Sequence, residues 1–88
     1  MFRNKSRNGQ NNLCGAVIEK HRKLMGKSQR QLADLLQIAG LDIDKNAIQR
    51  IEAGKRFVTD IELTYFSRVL NLPYEALLAD TDQSQYNL

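Results

Sequence analysis

Apolar residues in this chain return every three to four positions, in five short runs separated by glycine, proline or a hydroxyl- or carboxylate-led start. That period belongs to helices. No segment alternates with period two over a useful length, so the pattern predicts an all-α protein. The first run, Val17, Ile18, His21, Leu24 and Met25, predicts a helix from about Gly15 to Met25 that Gly26 ends. The second opens at Ser28, whose hydroxyl can accept from an early backbone amide while Gln31 reciprocates. This capping box leads into a helix that buries Leu32, Ala33, Leu35, Leu36 and Ala39 and stops at Gly40. Asp44 caps the third helix, with Ile43 and Ile48 at the staple positions that set the chain's angle of approach, and Gly54 ends it. Thr59 and Glu62 form the capping box of the fourth, stapled by Val58 and Leu63. It turns Ile61, Phe66, Val69 and Leu70 inward and ends near Asn71. Pro73 marks the first turn of a fifth helix, with Leu77 and Leu78 packing inward.

The flanks read differently. Residues 1–12, MFRNKSRNGQNN, are polar and basic with little to bury, and are expected to form a disordered arm. Residues 13–80 are expected to form one domain and 81–88 a flexible tail. A domain of this size buries roughly 60–65% of its unfolded surface, so its core is modest. Cys14 is the only cysteine, so no disulfide within the chain reinforces that core, and a lone cysteine suits a reducing compartment. No apolar run approaches the roughly 18 residues of a membrane span, and the first residues lack the apolar centre of a signal peptide. The expectation is a soluble, cytoplasmic protein with no membrane partner.

Net charge is only +3, but its distribution is uneven. Residues 1–27 carry seven Lys/Arg against Glu19 alone, whereas residues 59–88 carry Arg68 against five acids. A positive front and a negative rear suit a polyanion approaching from one side. The third helix sharpens this. With Ile48 and Ile51 buried, Lys45, Asn46, Gln49 and Arg50 turn outward together.

Catalytic chemistry is missing. His21 and Cys14 lie seven residues apart on the first helix, but structural zinc takes four ligands, and His21 reads as a partly buried helix residue. Gly26-Lys27-Ser28 matches the end of a phosphate-binding loop, yet no strand or correctly spaced glycine precedes it, so it reads as a helix stop followed by a cap. Asp42 and Asp44 fall in a loop and at a cap. The chain is not expected to be an enzyme or to hold a cofactor or metal. Tyr65 and Tyr74 are expected to pack rather than stack on bases.

From about Val17 to Leu78 the chain resembles the Cro/C1-type (xenobiotic-response-element, XRE) helix-turn-helix family of bacterial and phage repressors. The resemblance rests on Ile18 and Arg22 in helix 1, on Ser28, Gln29, Leu32 and Ala33 at the start of helix 2, and on the run Ile48 to Arg56. A capped fourth helix and the Leu-Pro-Tyr-Glu-Ala-Leu-Leu end follow in the family's order. It implies a compact five-helix, lambda-repressor-like DNA-binding domain. It further implies that Gln29, with Ser28, Arg30 and the backbone amides around it, binds a DNA phosphate, and that Lys55 and Arg56 hold phosphates beyond helix 3. Lys45, Asn46 and Arg50, with Gln49 on the same face, lie where the family reads bases. Lys and Arg can donate to guanine and Asn can bracket adenine. Arg22 and Glu52 occupy the positions of an ion pair tying helix 1 to helix 3.

The chain departs from the family in the turn. Where the family places a glycine four residues after the alanine, this chain has Gln37, and it continues through QIAGLDID before helix 3 starts. An extended connection is therefore expected, with a longer helix 2 and a loop at Gly40–Ile43. The function implied is a sequence-specific DNA-binding transcriptional regulator, a repressor that binds an operator as a homodimer with recognition helices about 34 Å apart. The subunit contact is expected from helix 5, the tail, and Tyr74, Leu78 or Tyr86. Two alternatives stand beside it: an antitoxin or adaptor that uses the fold to bind a protein partner, and a nonspecific binder of nucleic acid or anionic surfaces acting through residues 1–27.

Overall fold

The computed structural model describes residues 5, 6 and 8–79. Among them the chain forms five helices and no strand: α1 (Gly15–Leu24), α2 (Gln29–Ala39), α3 (Lys45–Glu52), α4 (Asp60–Leu70) and α5 (Tyr74–Leu77). The polar starts behave as side-chain chemistry requires. Ser28 Oγ accepts from the Gln31 amide at 3.0 Å while Gln31 Oε1 accepts from the Ser28 amide at 2.8 Å. Thr59 and Glu62 do the same for α4. Asp44 Oδ1 accepts from the Ala47 amide at 2.8 Å and opens α3. Pro73, expected inside the first turn of α5, sits just before it as the N-cap.

Every helix contributes to one core. Ile18, Leu32, Leu36, Ile48, Ile51, Phe66 and Leu77 are fully buried, and Cys14, Ala33, Ile43 and Leu70 nearly so. Each large apolar side chain taken fully out of water stabilises the fold by about 1.5–3 kcal/mol before the entropy of ordering it is counted.

Some expected core residues face outward. Leu24 is 71% exposed, and Met25 is also exposed. The inward line of α1 runs Cys14, Ile18, Arg22 at four-residue steps, and Leu24 lies about 120° round the helix from Ile18. Ile61 is 65% exposed for the same reason: it stands about 140° from Phe66, which with Leu70 defines the buried side of α4. Leu78 follows the single turn that buries Leu77 and remains exposed.

The extended connection between α2 and α3 is present and docked. α2 runs eleven residues and closes on Gly40, whose φ of +113° favours a residue without a Cβ. The Leu41 amide returns to the Leu36 carbonyl at 2.9 Å, Gln37 Nε2 donates to the Ile43 carbonyl at 2.7 Å, and the Ile43 side chain is buried.

The inner end of the expected disordered arm is also docked. The Asn11 amide donates to the Gly54 carbonyl at 2.8 Å, and Asn12 Nδ2 donates to the carbonyls of Ile51 and Arg56 at 3.0 and 2.8 Å. Asn12 Oδ1 accepts from the Gly15 amide at 2.8 Å, which starts α1 where the Cys14 side chain makes no cap. A Cβ at Gly15 would collide with the Ile51 carbonyl, so glycine permits this close crossing of α1 and α3. These polar side chains serve as partners for backbone groups left over at helix ends, a role that low hydrophobicity does not reveal. The rest of the expected arm, residues 1–4 and 7, and the expected tail with Tyr86 lie outside the described residues.

Candidate nucleic-acid interface

Helix α3 has two opposite faces. Ile48 and Ile51 point into the core with no exposed surface, while Lys45, Asn46, Gln49 and Arg50 are all exposed. At 100° per residue these four span about 140° of the helix circumference, with the isoleucines on the far side. None of the four makes a side-chain hydrogen bond to another described residue. Their donors and acceptors face water. A shallow polar depression of about 400 Å³ between α2 and α3 is lined by Arg30, Asp34, Gln37, Asp44, Lys45 and Asn46. Arg30 of α2 therefore opens onto the same side as the first two residues of the outward face of α3.

A buried polar network holds α3 at this angle. Arg22 Nε meets Glu52 Oε2 at 2.7 Å and Arg22 Nη2 meets Glu52 Oε1 at 2.9 Å, with both side chains buried. Arg22 Nη1 donates to the Lys27 carbonyl at 2.8 Å, which fixes the α1–α2 turn as well. The hydrogen bond to Glu52 raises the Arg22 pKa above its ordinary value, outweighing its desolvation. The fork geometry of arginine against a carboxylate makes this a directional brace, and not only an attraction.

The expected phosphate ligands divide into two groups. Gln29 Nε2 donates to Glu52 Oε1 at 2.9 Å, so its amide nitrogen is part of the internal network. Ser28 Oγ serves as the cap of α2. What remains at this helix start are the backbone amides of Gln29 and Arg30, ahead of the first intrahelical bond, and the exposed Arg30 side chain. Two free amides at a helix N-terminus suit an anion.

Beyond α3, Lys55 is exposed. Arg56 is not available in the same way. Its Nη1 and Nη2 bond Glu62 Oε1 and Oε2 at 3.0 and 2.9 Å, and Nη1 also reaches the Phe57 carbonyl at 3.1 Å. Arg56, expected to hold a phosphate, is engaged by Glu62 in this structure, with 32% of its side chain still exposed. Its partner is the N3 residue of the next helix, so Arg56 pins the α3–α4 turn.

Sequence reasoning missed Lys5, Asn11 and Asn12. Asn11 Nδ2 donates to the Lys55 carbonyl at 2.9 Å, and Asn11 Oδ1 accepts from Lys5 Nζ at 2.9 Å. The repeated Asn just ahead of α1 was the available signal, because Asn side chains satisfy backbone groups at helix ends.

Cys14 is buried, and burial lifts its thiol to about 11 against the lowering effect of a backbone hydrogen bond, so it stays protonated and inert. No group of three or more His, Cys, Asp or Glu side chains gathers as a metal site among the described residues. Tyr65 packs against the core, with the Arg68 guanidinium 5.3 Å from its ring centre, and Tyr74 is half exposed. No described helix is long and apolar enough to cross a membrane.

Compared with known families, residues 18–77 match the family described as Helix-turn-helix, from the buried Ile18 of α1 to the buried Leu77 of α5. Comparison with curated proteins and with solved structures gave no match.

Proposed function

The chain belongs to the Cro/C1-type helix-turn-helix family of DNA-binding regulatory domains, and on that premise we propose that it is a sequence-specific transcriptional repressor that binds its operator as a dimer. The observation that carries the reading is the outward face of α3. Lys45, Asn46, Gln49 and Arg50 stand together, exposed and with no side-chain hydrogen bond to another described residue, on a helix whose other face is locked into the core. In the major groove such a face reads base edges: Lys45 and Arg50 donate to guanine O6 and N7, and Asn46 brackets adenine N6 and N7. The amides of Gln29 and Arg30, the Arg30 side chain and Lys55 hold the flanking phosphates and set the register.

One domain of this size reads few bases. Two copies on one face of the duplex double the site and place the recognition helices about 34 Å apart. Exposed Ile61 on α4, and Tyr74 and Leu78 at α5, are the apolar side chains offered for the subunit contact. The same exposed residues favour the second reading, an antitoxin or adaptor that uses them to bind a different protein.

Selection of bound sites from random duplexes at physiological salt tests the first reading. It predicts a recovered site with two-fold symmetry. Recovery of no preferred sequence, with strong binding to every duplex, would replace it with nonspecific binding. A protein that stays monomeric and selects no DNA would favour the adaptor.

A further inference from the structure

Among the described residues, the cations around the end of α3 differ in what already engages them. Arg56 is bound at both terminal nitrogens by Glu62. Lys55 is exposed and in no described ion pair, and its backbone carbonyl is bound by Asn11 Nδ2. Lys5, fifty residues earlier in the chain, is brought to the other side of that same Asn11 side chain, its ammonium 2.9 Å from Oδ1.

This placement is built. The Ser6 amide donates to the Gln10 carbonyl at 2.8 Å, the Gly9 amide to the Ser6 carbonyl at 2.9 Å, and the Gln10 amide to Ser6 Oγ at 3.0 Å. These bonds tie Ser6 to Gly9 and Gln10, next to the Lys5 ammonium's contact with Asn11. Asn11 is fixed in turn through its own amide to Gly54, and Asn12 through Ile51, Arg56 and Gly15. One amide side chain thus spans the gap between the Lys5 ammonium and the Lys55 backbone. The acceptor that Lys5 meets is neutral, and an ammonium has three donors, so charge and hydrogen-bonding capacity both remain. Both lysines are exposed, at the end of the helix that carries the outward polar face.

We propose that Lys5 is a DNA backbone-phosphate ligand, held beside Lys55 by Asn11, so that the two ammoniums grip the sugar-phosphate backbone at the C-terminal end of α3. The inference rests on the DNA-binding reading of that helix. It makes the N-terminal segment a brace at the C-terminal end of the recognition helix, and it adds Lys5 as a cation there beside an Arg56 already paired with Glu62. A lysine that only offsets the partial negative charge at the end of α3 would stabilise the fold and leave DNA binding unchanged.

The test is a set of binding titrations against salt, on the selected operator and on a scrambled duplex. It uses the full chain, Lys5→Gln, Lys55→Gln and Asn11→Ala, each with its melting temperature recorded. The slope of log affinity against log salt should become shallower by about 0.9 in Lys5→Gln, as for one lost phosphate contact. From about 50 to about 200 mM salt the variant should then lose about 3-fold less affinity than the parent. The loss should be equal on both duplexes, and the melting temperature should not move. Asn11→Ala should reproduce the shallower slope, because the lysine loses its tether. A Lys5→Gln slope equal to the parent's, with Lys55→Gln still shallower, would overturn the role of Lys5 and leave the DNA reading standing. A parent that binds neither duplex would overturn both.

Discussion

Arg22 of α1 and Glu52, the last residue of α3, meet through two parallel bonds of 2.7 and 2.9 Å, with their side chains 10% and 2% exposed. Removing one partner strands the other charge, which costs about 3–5 kcal/mol. Glu52→Ala also frees Gln29 Nε2, so the joint between α1, α2 and α3 fails at three points. The variant is expected to unfold or nearly so in a denaturant titration, and Glu52→Gln, which keeps an acceptor, to lose less. A Glu52→Ala melting temperature within a degree or two of the parent's would show that the pair does not brace the fold.

Acid should weaken the α3–α4 turn. Burial alone would raise the Glu62 pKa, but the Arg56 guanidinium and the Thr59 backbone amide together outweigh it and hold the carboxyl below its ordinary value of 4.5. A group whose pKa is depressed by folding stabilises the protein above its unfolded value, and that contribution is lost as pH falls toward and through the folded one. Stability should therefore decline as pH drops below 4.5. Glu62→Gln should be less stable by about 1 kcal/mol at neutral pH, with a flatter acid limb. Equal acid slopes in parent and variant would show that Glu62 does not contribute.

The helix starts were legible because each is a local device. Ser28 with Gln31, Asp44, and Thr59 with Glu62 need only a few neighbouring residues to make their bonds. The buried stripe of α3 was legible for the same reason, since Ile48 and Ile51 leave the polar residues one way to point. Tertiary choices were not. Whether α1 turns Arg22 or Leu24 inward depends on Glu52, thirty residues away. Whether Arg56 faces solvent depends on a carboxylate already serving as a cap. Asn11 and Asn12 sit in a stretch too polar to form a core, yet they satisfy carbonyls at the far end of α3. Composition reports what a segment can bury and not which backbone groups it can satisfy.

Gly40 should resist replacement through its backbone and not its surroundings. Its φ is +113°, while a Cβ there would meet the Tyr65 ring at 3.6 Å, an ordinary contact distance. Gly40→Ala, which adds only that Cβ, is thus expected to cost about 1–3 kcal/mol in a denaturant titration, from conformational strain. Adding Tyr65→Phe should restore none of it, because crowding is not the cause. Rescue by that second change would locate the cost in packing.

The proposed division of labour along α3 predicts two kinds of loss. Arg50→Ala and Lys45→Ala each remove a donor from the exposed face, and each should lower affinity for the selected operator by about 1–3 kcal/mol while relaxing preference at one base position per half-site. Arg50 is expected to be the guanine reader, because its planar fork can bond O6 and N7 together, whereas lysine offers a single point charge. Lys55→Ala should behave otherwise. It lies beyond the helix among carbonyls bound by Asn11 and Asn12, where the backbone and not the bases would pass. Its loss should weaken binding equally on operator and scrambled duplex, with a salt slope shallower by about one. Titration of all three variants on both duplexes separates the roles. If all three lose affinity equally on the two duplexes, α3 does not read bases, and the chain binds DNA by charge alone.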